Sequence, residues 1–81
     1  MIYKFYSPTC GPCKVLEMNF KKANITDYYN VDVTLEENEN LLEKYTISTV
    51  PVILKTKEDG TEIKRFKGVL TPDKLKEWCN E

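Results

Sequence analysis

Apolar and polar positions along the chain alternate between a period of two and a helical period, and the switches divide it into seven elements. Ile2-Tyr3-Lys4-Phe5-Tyr6 is a strand-like run closed by Ser7-Pro8, so residues 1–6 are read as the first strand. Cys13, Leu16, Phe20 and Ala23 then recur at helical spacing and predict a helix over residues 11–23 with those four as its buried stripe. Pro12 falls in the first turn, where its missing N–H costs nothing. Glu17 and Lys21 form an i,i+4 pair expected on the solvent side. In residues 28–33, Tyr29, Val31 and Val33 alternate with Asn30 and Asp32, which predicts a second strand. A second helix is expected over residues 36–45, with Leu41, Leu42 and Tyr45 as its apolar face and an acidic first turn suited to the helix dipole.

Residues 50–56 and 61–67 read as two further strands joined at Asp59-Gly60, a strong hairpin signal. Gly68 ends the fourth strand. Thr71 as N-cap and Pro72 at the first helical position open a last helix, on which Leu75, Trp78 and Cys79 share one face. The order β-α-β-α-β-β-α predicts an α/β fold, a four-stranded mixed sheet flanked by three helices. Helices between successive strands imply parallel crossovers from strand one to two and from two to three; the hairpin implies an antiparallel edge.

Composition narrows the function classes. Eighty-one residues, 41% apolar and 31% charged, fit one globular domain over residues 1–81. The net charge of −1, with Lys scattered among Glu, argues against nucleic-acid binding. No apolar run reaches membrane-spanning length. The first strand begins with no leader-like segment before it, so a cytoplasmic location is expected. There, a structural disulfide is improbable and a cycling one is plausible. The absence of His excludes imidazole acid–base catalysis and His metal ligands.

Within this framework Cys10-Gly11-Pro12-Cys13 is the candidate chemistry. A strand feeding a helix whose first turn carries two thiols is the layout of a dithiol redox site. Free N–H groups and the positive end of the dipole stabilise a thiolate, the form that attacks disulfides. Cys10, ahead of the helix, is the expected nucleophile. Cys13, one turn in, is the expected resolving thiol. Lys14 adds a nearby cation that is expected to point outward. The competing reading is half of a metal site, but zinc needs four ligands. Cys79 is the sole remaining Cys, so no metal is expected, although a cluster bridged between two chains stays open. Cys79 itself reads as a small buried hydrophobe rather than a third redox thiol. The Glu36-Glu37-Asn38-Glu39 run reads as a solvated helix start. From spacing alone Pro51 reads as a trans proline opening the third strand, since cis is the minority state.

Cys10-Gly11-Pro12-Cys13-Lys14, Thr49-Val50-Pro51 and Gly68, in this element order, resemble the thioredoxin family over nearly the whole chain. The resemblance implies a cis Pro51 facing the redox pair and leaving Val50 free to pair with an extended substrate. It also implies a substrate groove bordered by Thr9, Thr49 and Gly68. It implies a monomeric disulfide reductase without a bound cofactor, acting on protein disulfides and recharged by an NADPH-dependent flavoprotein thioredoxin reductase.

Three departures from the family pattern stand out. The extra N-terminal strand and helix are missing, Thr9 replaces the usual Trp, and Lys4 stands where an acid is usually buried under the redox pair, with Asn30 near the place of its lysine partner. Lys4 is expected either to reach water past a partly uncovered sheet face or to favour the Cys10 thiolate. Glutaredoxins are the alternative: they carry an aromatic inside the motif and a double glycine before an acid, and Gly68-Val69-Leu70-Thr71-Pro72-Asp73 lacks the second glycine. A non-catalytic binding subunit built on the same fold is the third possibility.

Overall fold

The computed structural model describes residues 1–81. Strands β1 (Ile2–Tyr6), β2 (Tyr29–Asp32), β3 (Val52–Thr56) and β4 (Glu62–Lys67) form one sheet in the order β2-β1-β3-β4. Helices α1 (Gly11–Lys22), α2 (Glu39–Lys44) and α3 (Pro72–Asn80) complete the chain. The expected elements are all present, with one subdivision: Glu36–Asn38 form a 3-10 turn ahead of a shorter α2.

The sheet departs from expectation in one direction. β1 and β2 are parallel, but β3 runs antiparallel to β1, with Phe5 opposite Val52 and Ile2 opposite Lys55. The connection after β2 is therefore not a parallel crossover. α2 has six residues, a rise of about 9 Å. That is too short to carry the chain back down the sheet, so β3 starts at the end where β2 stops. This reversal matters for function, because it gathers the ends of β1, β2 and β4 and the start of β3 along one edge.

Each sheet face has its own core. On one face Phe5, Val31, Tyr45, Val52 and Leu54 pack together, supported by Leu41 and Leu42 of α2. On the other, Leu16, Phe20, Ala23, Ile53 and Leu75 join α1 and α3 to the sheet, with Trp78 and Cys79 at the margin. β3 is thus covered on both sides, which explains its unbroken Val52-Ile53-Leu54 run. The predicted stripe of α1 is buried at all four positions. Glu17, however, does not pair with Lys21 on the wet side. Its carboxylate lies 4.0 Å from the ammonium of Lys4.

The β3–β4 hairpin closes as its sequence demands. Thr61 N–H donates to the Asp59 side chain (2.9 Å), Gly60 N–H to Lys57 O (3.0 Å), and Gly60 sits at φ +91°. A Cβ there would lie 2.7 Å from Lys44 Nζ, the movable tip of a long side chain, so the backbone angle is the main constraint. Gly60→Ala should therefore destabilise the fold by about 1–2 kcal/mol. Urea unfolding checks this through a lowered midpoint at unchanged slope.

Candidate active site

The site is assembled by the ends of strands. The chain leaving β1 turns at Ser7-Pro8, where Cys10 N–H donates to Ser7 O (3.2 Å), and enters α1 with Cys10 as its N-cap. Cys10 is extended (φ −88°, ψ 111°), and its sulfur accepts from the Cys13 N–H at 3.1 Å. A thiolate at this position faces a helix N-terminus whose last turn carries Lys21 and Lys22, so both helix ends match the dipole. Cys10 and Cys13 are joined as a disulfide with Cα atoms 5.2 Å apart. Their surroundings differ: Cys10 is half-exposed and Cys13 is buried.

Pro51 reaches the same edge through the strand register. Phe5 pairs with Val52, and Val52 with Lys67, so the segments leaving β1, entering β3 and leaving β4 lie side by side. The Val50–Pro51 peptide is cis. Pro51 is buried, Val50 half-buried and Thr49 exposed. Gly68, at φ +124°, donates its N–H to Pro51 O (3.1 Å), which ties the end of β4 to this loop. Thr9 and Lys14 are exposed on either side of the cysteines. Beside the loop, Val33, Leu42, Ile47, Ser48, Thr49 and Val50 line a shallow, largely apolar cavity of about 240 Å³.

Lys4 does not extend to the protein surface. It is 2% exposed, enclosed by α1 and by Tyr28. Its ammonium lies 5.5, 5.8 and 5.4 Å from the ring centres of Tyr6, Phe20 and Tyr28. α1, α3 and Tyr28 together cover this face of the sheet. Burial lowers the Lys4 pKa, Glu17 acts to raise it, and Lys21 to lower it further. The cavity next to Lys4 is bounded by Cys13 and Glu17; Cys10 is not among its walls. Glu17, which the sequence reading assigned to solvent, lines this cavity with Lys4 and Cys13, although Cys13 and Glu17 stand four apart on one helix.

Cys79 is half-buried on α3, and burial pushes its thiol pKa up, against the pull of Lys55 and Lys64. It packs at the edge of the α1–α3 core, as a small hydrophobe does. No group of three or more Cys, Asp or Glu side chains is arranged to hold a metal ion. No helix is long and apolar enough to cross a membrane.

A mixed four-stranded sheet with a Cys-x-x-Cys pair capping the helix after its first strand defines the class: a thioredoxin fold carrying a dithiol–disulfide centre. The thioredoxin family model matches residues 1–81. Among curated proteins, thioredoxin of Mycoplasma genitalium is 31% identical over 77 residues, covering 93% of this chain and 74% of that protein. Protein disulfide isomerase-like 1-2 of Oryza sativa is 30% identical over 86 residues, but the chain spans only 17% of its length. The solved thioredoxin of Fasciola hepatica superposes with a TM-score of 0.73 at 30% identity, covering 98% of this chain and 76% of that one. This chain belongs to the thioredoxin family.

Proposed function

We propose that this chain is a thiol–disulfide oxidoreductase that reduces protein disulfides. The observation that carries the reading is the asymmetry of the pair: a half-exposed Cys10 sulfur at a helix N-cap, bonded to a buried Cys13. The reduced Cys10 thiolate attacks one sulfur of a substrate disulfide. The substrate S–S bond breaks, and the released thiolate takes a proton from solvent. Cys13 then loses its proton and attacks Cys10 Sγ. The mixed disulfide breaks, the second substrate sulfur leaves with the electron pair, and two electrons have passed to the substrate.

The loop 49–51 supplies the docking edge. Val50 offers backbone groups to an extended substrate strand, with Thr9, Thr49 and Gly68 bordering the groove, and Pro51 fixes the loop beside the cysteines. Lys14 adds positive charge near the approaching sulfur. The chain works as a cytoplasmic monomer, binds no cofactor of its own and is recharged by an NADPH-dependent flavoprotein thioredoxin reductase. The Gly11-Pro12 interior of the motif and the single glycine after β4 favour that electron source over glutathione. Insulin reduction tests the proposal: turnover should be fast with NADPH and thioredoxin reductase and slow with glutathione alone. Efficient turnover with glutathione alone would place the protein with the glutaredoxins.

A further inference from the structure

We propose that the Lys4 ammonium, with Glu17 as its counter-ion, stabilises the thiolate of Cys13 and so sets the pH at which the mixed disulfide is resolved. The inference rests on the oxidoreductase reading above and adds a positioning pair to it.

Three observations carry it. First, Lys4 is enclosed at 2% exposure in the middle of a central strand, between Asn30 of β2 and Ile53 of β3 in register. Lys is seldom buried without a partner, and its single ion partner is Glu17, whose side chain keeps 42% of its exposure. Second, Lys4, Glu17 and Cys13 bound one cavity of about 150 Å³, completed by Tyr6, Lys14 and the Ser7-Pro8 turn. Pro8 and Lys14 are exposed, so the cavity leads to solvent and gives a proton a way out. Third, Cys13 is 3% exposed, so a thiolate formed there cannot rely on bulk water. Burial in an apolar site raises a thiol pKa, and a neighbouring cation lowers it.

The charges around Lys4 can be followed element by element. From α1 come Glu17, Lys21 and, at the cavity wall, Lys14. From β1 comes Tyr6 and from the approach to β2 Tyr28, both neutral rings over which the ammonium lies. Asn30 and Ile53, beside it in register, carry no charge. In the resolving step, Cys13 gives its proton through the cavity to solvent. The thiolate forms beside the cavity that Lys4 also bounds, attacks Cys10 Sγ, and the electron pair of the broken bond leaves on the substrate sulfur. Lys4, whose charge Glu17 supports against the effect of burial, takes the role of the cation. It balances the thiolate and also neutralises the carboxylate that stands one turn beyond Cys13 on the same helix face.

The two members of the pair must therefore act on Cys13 with opposite signs. The cysteine Cβ chemical shifts of the reduced protein, followed by NMR against pH, read Cys10, Cys13 and Cys79 separately. Lys4→Met removes the cation and leaves the carboxylate unbalanced, so the Cys13 midpoint should rise by about one pH unit or more. Glu17→Gln removes the opposing charge, and the thiolate becomes the ammonium's anion, so the midpoint should fall. Glu17→Gln changes a half-exposed group and keeps the test open if Lys4→Met fails to fold. An unmoved Cys13 midpoint in either folded variant, or shifts of the same sign in both, overturns the assignment. Wild-type insulin turnover is measured separately: its absence would refute the oxidoreductase reading while leaving the titration to judge the pair.

Discussion

Cys10→Ser abolishes disulfide reduction, and Cys13→Ser converts the protein into a trap for its substrate. The two outcomes follow from unequal exposure of two joined sulfurs. Cys10 is half-exposed and takes the Cys13 N–H at 3.1 Å, so its thiolate is both reachable and stabilised. A serine hydroxyl there is not a nucleophile at neutral pH, and turnover falls to the level of the uncatalysed exchange. With Cys13 replaced, Cys10 still attacks, but nothing attacks Cys10 in turn. A covalent adduct with the substrate accumulates, visible as an added mass that a reducing agent removes. Normal turnover in Cys10→Ser would reverse the assigned roles.

Phe20→Ala removes a large part of the fold's stability. Phe20 is fully buried between α1 and the sheet, with its ring 4.4 Å from that of Tyr28 and near the Lys4 ammonium. Truncating a core aromatic costs about 3–5 kcal/mol. A chain of this size has only about 4–12 kcal/mol in total. The variant should unfold at much lower urea concentration, and loss of the ring should let water reach Lys4. A change under 1 kcal/mol would mean that the α1 face collapses around the gap, contrary to the close packing described.

The sequence carried most of this architecture for identifiable reasons. The stripe Cys13, Leu16, Phe20 and Ala23 has one helical face and nowhere else to go, and it is buried as expected. Asp59-Gly60 and Thr71-Pro72 are local signals that need no tertiary context, and both the hairpin and the α3 cap form where they predict. Strand direction was less legible. The sense of β3 depends on how far α2 carries the chain, and Glu36–Asn38 winds as a 3-10 turn that shortens the helix proper.

Lys4 was half legible: the family pattern marked it beneath the redox pair, but left open whether it reaches water. Its burial depends on α1 crossing β1 closely enough to bring Glu17 over it, a tertiary distance that no local pattern encodes. The contacts of Arg65, which donates to Tyr45 O (2.6 Å) and pairs with Glu62 (2.7 Å), were equally invisible. They brace β4 against the end of α2, and along a single strand they read only as alternating charge.

The most direct test of the central claim is the equilibrium reduction potential of the Cys10–Cys13 pair, titrated against defined thiol–disulfide buffers. A protein that reduces disulfides should hold its electrons loosely enough to pass them on, with a potential of about −200 mV or lower. A value near about −120 mV, the range of a strong disulfide donor, would contradict the account and make the chain an oxidant of thiols.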